Sequence, residues 1–454
     1  TVVDPVAKQE YVTTVGNTAP LNDIISNPGN ALKNSNSSVV IPNGTTYEWV
    51  SRPDASAPGI YKKEVKVTLP QGSTTQSRNS TNVPVAIKVK PNPPQIADDQ
   101  VRNTGGLPNK GITVTNALPN ARVTLTINGK QLPSKTADQN GRVTFAANEL
   151  ADSNGLLPTG NVTVKQSKVF TNPVTNSNET LESDARSVEI SKETVAPEPT
   201  FDLYIYNDKT GQWEKQSIQD GVRPRTRGYE VFAGDKIKIV ISGKDNSGKI
   251  KTLKLHDGTS DINRIFQDGY SSNDPAPGFK DTPTEASTTN PAIREYTATY
   301  DENKQYADGN KWNRGVKAID LSNNEARTLT VVAQGKLSKK FPGEVPATVQ
   351  VTNATTPSED DKQKILAAVK GANPQEANRI SRYEFKNGGA VSNGKVTVVI
   401  TYKDGTSNEV EVPVSDSDRK SEQASRSASE SASTSAVAST SASTSAVAST
   451  SAST

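Results

Sequence analysis

Apolar side chains recur every second residue in short runs along this chain, and at helical spacing in one place only. Val65, Val67 and Leu69 alternate with polar residues, and so do Val83, Val85, Ile87 and Val89. Period-two alternation is the mark of a half-buried strand. The turn Pro70-Gln71-Gly72-Ser73 after the first run predicts a β-hairpin with a long loop. Further on, 120–130 reads as a strand ending in an Asn128-Gly129 turn. Asn140-Gly141 supplies another turn and 161–164 another strand. Between 200 and 332 the runs are clearest, at 201–206, 235–241, 250–255, 295–300, 314–319 and 327–332. Short strands separated by turn chemistry predict a β-sandwich. The exception is 358–371. There Ser358-Glu359-Asp360-Asp361 reads as a capping box, Ile365, Leu366 and Val369 make one apolar face, and Gly371 is the expected stop. Strands at 396–402 and 410–412 around the turn Lys403–Thr406 complete a small α+β segment.

The pattern divides the chain into 1–91, 92–199, 200–333, 334–415 and 416–454. The last piece is of another kind. From Ser431 it reads SASTSAVAST twice and then SAST, with no charge, aromatic residue, Gly or Pro. Such a tract buries too little apolar surface to offset its ordering entropy, so an unfolded tail is expected, dense in hydroxyls that can carry O-glycans. The third piece holds two of the three tryptophans, Trp213 and Trp312, and a long polar connection over 257–292. Long connections in compact domains are uncommon and often functional.

Composition narrows the chemistry. There is one histidine, His256, and no cysteine in 454 residues. Ser–His and Cys–His nucleophile systems and His/Cys zinc sites have too few members, so an enzyme is not expected. His256, at a strand end, reads as a surface residue, and Asp245–Gly248 reads as a tight turn rather than a calcium loop. No cofactor and no metal are expected. Fifty-two basic against 49 acidic residues leave +3, which gives no nucleic-acid footprint. No apolar run approaches the length needed to insert in a membrane. The absence of cysteine, together with the Ser-rich repeat, fits an exported protein of a Gram-positive surface.

Three resemblances follow from these residues. The stretch from Trp49 to the turn near Gly72 resembles the Rib-type repeats of Gram-positive surface proteins, which implies a rigid spacer over 1–91. The ARVTL…NGK…NGRVTF pattern resembles the bacterial Ig-like modules of adhesins. Two β modules, a β-sandwich, a small α+β domain and SAST repeats, in that order, resemble the ligand-binding region of a streptococcal serine-rich repeat adhesin. That last resemblance implies a mainly β, multidomain chain. It has tandem Ig-like sandwich modules, a V-set Siglec-like binding domain over 200–333, a small α+β unique domain over 334–415 and a disordered stalk.

It also implies a binding motif of hydrophobic–Thr–Arg–any residue on one strand of the sandwich. The best match is Trp312-Asn313-Arg314-Gly315, where Asn313 replaces the Thr. The rival string Tyr296-Thr297-Ala298 lacks the cation. In this reading Arg314 meets the sialic acid carboxylate through paired charge-assisted hydrogen bonds that lysine cannot reproduce. Asn313 bonds sugar hydroxyls, Trp312, Tyr306 and Tyr300 offer aromatic surface, and Asn323 joins from the following turn. Strand parity puts Arg314 on the side of Val316 and Ala318, so an outward Arg314 requires either a bulge near Gly315 or a core face marked by Ile319 instead. The expected partners are sialoglycans of host glycoproteins of the platelet or salivary mucin type. Monomeric modules would meet them, displayed in many copies by a secreted, cell-wall-anchored protein. The alternative is an adhesin that binds a host peptide, from fibrinogen or keratin, by adding it as a strand to a sheet edge.

Overall fold

A computed structural model describes residues 2–72, 80–108, 110–223, 226–266 and 284–435 of the 454-residue chain. Ser73 of the first turn, most of the central part of the 257–292 connection and the final repeats lie outside the described residues. The chain forms two compact units. One contains residues 1–195, 246–248 and 321–324, and the other contains 196–245, 249–320 and 325–454.

In the first unit the alternating runs pair as expected. Strand Gly59–Thr68 lies antiparallel to Ser80–Lys90, with Thr46–Trp49 on its other side. Val65, Val67, Val85 and Ile87 are fully buried against Leu21 and Ile24. The Trp49 indole donates to the Ile24 carbonyl at 2.8 Å. A second core belongs to residues 96–190, in which the long strand Gly160–Thr171 pairs with Arg122–Ile127, Asn178–Glu182 and Arg186–Ile190. Lys88 of the first module bonds Glu179 of the second at 2.9 Å, and Lys90 bonds Asp184 at 3.0 Å.

The second unit opens with a β-sandwich. One sheet runs Gln212–Lys215, Glu198–Asn207, Lys236–Lys244, Ala292–Thr299. The other runs Gln219–Arg223, Thr226–Val231, Thr330–Gln334, Lys311–Ile319, Thr252–His256, Asp261–Ile262. Ile237, Ile239 and Ile241 from the first sheet meet Leu253, Leu255, Val316 and Ala318 from the second, all fully buried. The sequence pattern gives no hint of strand Thr226–Val231. It pairs in parallel with Thr330–Gln334, opposite Val331 at Gly228, where a Cβ would lie 2.2 Å from the Val331 carbonyl oxygen. Close pairing there requires glycine.

The same hydrophobic cluster continues into the small α+β domain through Leu337, Ile365, Val369, Val398 and Ile400. Its sheet runs Val349–Gln350, Ser407–Ser415, Lys395–Tyr402, Ile380–Phe385. Helix Glu359–Ala372 begins at the expected capping box, with Ser358 Oγ accepting from Asp361 N and the Asp361 carboxylate from Ser358 N. It passes through Gly371, the expected stop, and ends at Asn373, whose side chain donates to the Val369 carbonyl at 2.9 Å. An amide that caps the last turn removes the need for a left-handed glycine.

Asp361 is buried and also accepts from Thr352 N at 2.8 Å and Thr352 Oγ1 at 2.7 Å. Burial alone would push its carboxyl up. The donors of Thr352, Ser358 and Asn353 outweigh it and hold the carboxyl down to about 2. An unfolded aspartate titrates near ~3.9. This carboxylate therefore stabilises the fold fully above about pH 4, and the contribution is lost as pH falls towards 2. Asp361→Asn turns an NH2 group towards these donors and should cost about 2–3 kcal/mol at neutral pH. The deficit should shrink on acidification, as read by thermal melts from pH 7 to 2.5. A constant deficit would exclude the charge as its source.

The tail departs from expectation in part. Residues Ser417–Ser435 form a helix, within the stretch expected to be unfolded. Helix formers lead it, and Lys420–Asp416 and Arg426–Glu422 are i,i+4 ion pairs at 3.1 and 3.4 Å. The uncharged repeats beyond it lie outside the described residues.

Candidate functional site

Strand Lys311–Ile319 is gripped on both sides. Thr252–His256 pairs along one edge, with Gly315 opposite His256. Thr330–Gln334 pairs along the other, with Arg314 opposite Thr330. Neither pairing shifts register at Gly315, so the bulge is not there. Arg314 keeps the parity of Val316 and Ala318 and points inward, with 3% of its surface exposed. Its Nε donates to the Ile265 carbonyl at 2.7 Å and its Nη1 to the Asn313 carbonyl at 2.6 Å. These bonds hold the guanidinium plane, and they satisfy donors that would otherwise be costly to bury.

Asp257 supplies a negative charge beside it. Its Oδ1 accepts from Ser260 N at 2.7 Å and from the N and Oγ1 of Thr259, both at 2.9 Å. Those bonds, with the nearby Arg314 charge, hold its carboxyl at about 2. The group is therefore ionised at any physiological pH.

His256 is not the surface residue expected from its place at a strand end. It is 3% exposed, because strand Lys311–Ile319 covers it. Gly258 N donates to its Nδ1 at 3.0 Å and its Nε2 lies 2.9 Å from the Thr328 carbonyl. An acceptor on one nitrogen and a donor on the other define the neutral Nε2–H tautomer. Gly315 sits against this ring. A Cβ there would be 1.8 Å from the Thr328 carbonyl oxygen and 2.8 Å from His256 Nε2.

The other expected site residues divide. Asn313 is exposed on the outer side of the strand, next to Arg314. Trp312 is half-buried, with ring centroids 4.9 Å from Phe266 and 5.5 Å from Tyr300, both edge-on. Tyr300 is fully buried, and its hydroxyl donates to Gln334 Oε1 at 3.2 Å. It therefore supports Trp312 from within the core. Tyr306 is tied to the small domain. Its N–H donates to the Asp404 carbonyl at 2.9 Å, its hydroxyl donates to Asp308 at 2.8 Å, and Lys336 lies over its ring at 5.3 Å. Asn323 takes a left-handed φ of 63° in the turn 321–324, which groups with the other unit. The strand thus brings together Trp312, Asn313 and Arg314, with Tyr300 beneath. Asp245–Gly248 ends in a turn with Gly248 at φ 75°.

Residues 3–91 match the Rib domain family. Among solved structures, the chain is similar to the SrpA adhesin from Streptococcus sanguinis, at 19% identity and a TM-score of 0.34, over 50% of this chain and 96% of that one. It is similar to the sialic acid binding region of the Streptococcus sanguinis SK1 adhesin bound to 3'sLn, at 16% identity and a TM-score of 0.34, over 84% of this chain and 88% of that one. It is also similar to the GspB Siglec domain, at 15% identity and a TM-score of 0.23, over 41% of this chain and 92% of that one.

Sequence reasoning missed the groups that set Arg314: the Ile265 carbonyl, Asp257, and the His256–Thr328 pair behind Gly315. One signal was present. A glycine in the middle of a strand marks a close approach of other atoms.

Proposed function

We propose that this chain is a bacterial surface adhesin, without catalytic activity, whose V-set domain binds sialylated host glycans at Trp312-Asn313-Arg314. The observation that carries the reading is an arginine fixed by two backbone carbonyls beside an exposed amide on the same strand. A guanidinium offers a carboxylate two parallel charge-assisted hydrogen bonds that lysine cannot reproduce. Asn313 is positioned to bond sugar hydroxyls, and the exposed part of Trp312 to pack on an apolar sugar face. Because Arg314 lies below the surface, the carboxylate reaches it only as the Ile265 carbonyl yields. Binding therefore includes a rearrangement of 263–266. The Rib-like and Ig-like modules and the Ser-rich tail act as spacers for a protein exported to a Gram-positive surface. A single sugar site is weak, and many copies on one surface compensate through effective concentration.

The full chain should bind sialylated glycans on an array and leave their desialylated counterparts empty. Arg314→Lys keeps the charge but loses the planar fork, and should weaken binding about 100-fold while the circular dichroism spectrum is retained. Absence of sialoglycan binding by the unmodified chain would overturn the reading. Binding unchanged in Arg314→Lys would remove Arg314 from it.

A further inference from the structure

We infer that the cleft between the sandwich and the small domain is a second saccharide site, apart from Arg314, for a monosaccharide carrying one acidic group. The cleft has a volume of about 450 Å³ and is walled by Tyr206 and Asn207 from the sandwich and by Lys340, Phe341, Gln375 and Arg379 from the small-domain side. That volume lies within the usual range of small-molecule sites.

The charges are arranged by depth. Asp235 is buried, and its Oδ1 is shared by Lys340 Nζ at 3.0 Å and Arg379 Nη2 at 2.9 Å. Arg379 Nη1 also donates to the Ala233 carbonyl at 2.6 Å. Both line the cleft and are largely buried, Arg379 being 13% and Lys340 28% exposed. Two cations on one carboxylate leave the deep end positive. A guanidinium carries five N–H donors, and its two bonds here engage two of them. The mouth is the opposite. Asp208 and Glu214 are exposed there with Lys209 and the amides of Gln375 and Asn378, so carboxylates outnumber cations at the mouth. Carboxylates and amides at a cleft mouth accept from sugar hydroxyls, while the inner cations attract a carboxylate or sulfate. An aromatic wall completes the chemistry, since pyranose rings present an apolar face.

The cleft is preformed. The Asn207 side chain donates to Glu214 at 2.6 Å and accepts from Lys209 N at 2.9 Å, which fixes the hairpin. Tyr206 stands edge-on to Trp213, centroids 5.2 Å apart. Lys340 is held between the rings of Phe232 and Phe341, at 4.9 and 5.6 Å. Little ordering remains for the ligand to impose.

The test is amide chemical-shift mapping on the full chain, titrated with N-acetylneuraminic acid, galactose 6-sulfate and galactose. At least one acidic sugar should shift amides in 206–209 and 375–379, and galactose should not. A response to one acid alone identifies carboxylate or sulfate as the group recognised. Asn378→Glu places a negative charge at the exposed mouth and should raise the Kd for this site about tenfold. It should leave any shifts at 313–316 as they were. No shift in the cleft amides with either acid, an equal response to galactose, or an unchanged Kd in Asn378→Glu would overturn the inference. Shifts missing at 313–316 would count against the Arg314 site alone, so the two readings fail separately.

Discussion

Asp235→Ala is expected to lower the stability of the C-terminal unit by about 3–5 kcal/mol, the usual cost of removing one partner from a buried ionic group. Three losses combine. Lys340 and Arg379 are left facing each other without the carboxylate they share. Phe232 N loses its acceptor, Asp235 Oδ2, at 2.9 Å. The tie between sandwich and small domain is broken at a fully buried carboxylate. Calorimetry of the full chain should show the corresponding transition fall in temperature and broaden or divide, because sandwich and small domain would then unfold at separate temperatures. A melting profile identical to that of the unmodified chain would show that the shared hydrophobic cluster alone couples them.

A second large effect is expected from Gly315→Ala. One methyl group must occupy space 1.8 Å from the Thr328 carbonyl oxygen and 2.8 Å from the His256 ring. Both neighbours are held, the carbonyl by His256 and the ring by Gly258 N. Neither can withdraw without giving up a partly buried hydrogen bond. The strain should cost about 3 kcal/mol, at the upper end of overpacking effects. Displacement of His256 also disturbs the turn that carries Asp257, so glycan binding should weaken with stability. Urea titration followed by Trp fluorescence measures the first, and the glycan array the second. Full stability in Gly315→Ala would mean that strand Lys311–Ile319 can move off Thr328 freely.

Much of this architecture is legible in the amino-acid order. Alternation over 235–241 and 396–402, the capping box at Ser358 and the Asn-Gly turns each act over a few residues, and the folded chain uses them as written. Strand Thr226–Val231 escapes because its pairing is parallel and comes from about a hundred residues away, and because Gly228 interrupts the alternation. Helix Ser417–Ser435 escapes because serine-rich composition points to disorder while its scattered charges pair at helical spacing. At the candidate site, parity alone puts Arg314 inward, and that is where it lies; the expectation of an outward arginine came from the resemblance. The partner that explains an inward arginine is a backbone carbonyl 49 residues earlier. Backbone groups leave no signature in a sequence, so the contact that defines the site could not be read from it.

The alternation along strand Lys311–Ile319 also sets how freely this region can change over generations. Position 315 admits a single residue type, and 314 and 316 face the interior. Position 313 faces solvent beside Arg314, and a substitution there meets no packing constraint on its outer side. Substitutions can therefore accumulate at 313 while 314–316 stay fixed. Under the proposed glycan reading, variation in recognition would then accumulate one residue away from the part that holds the fold.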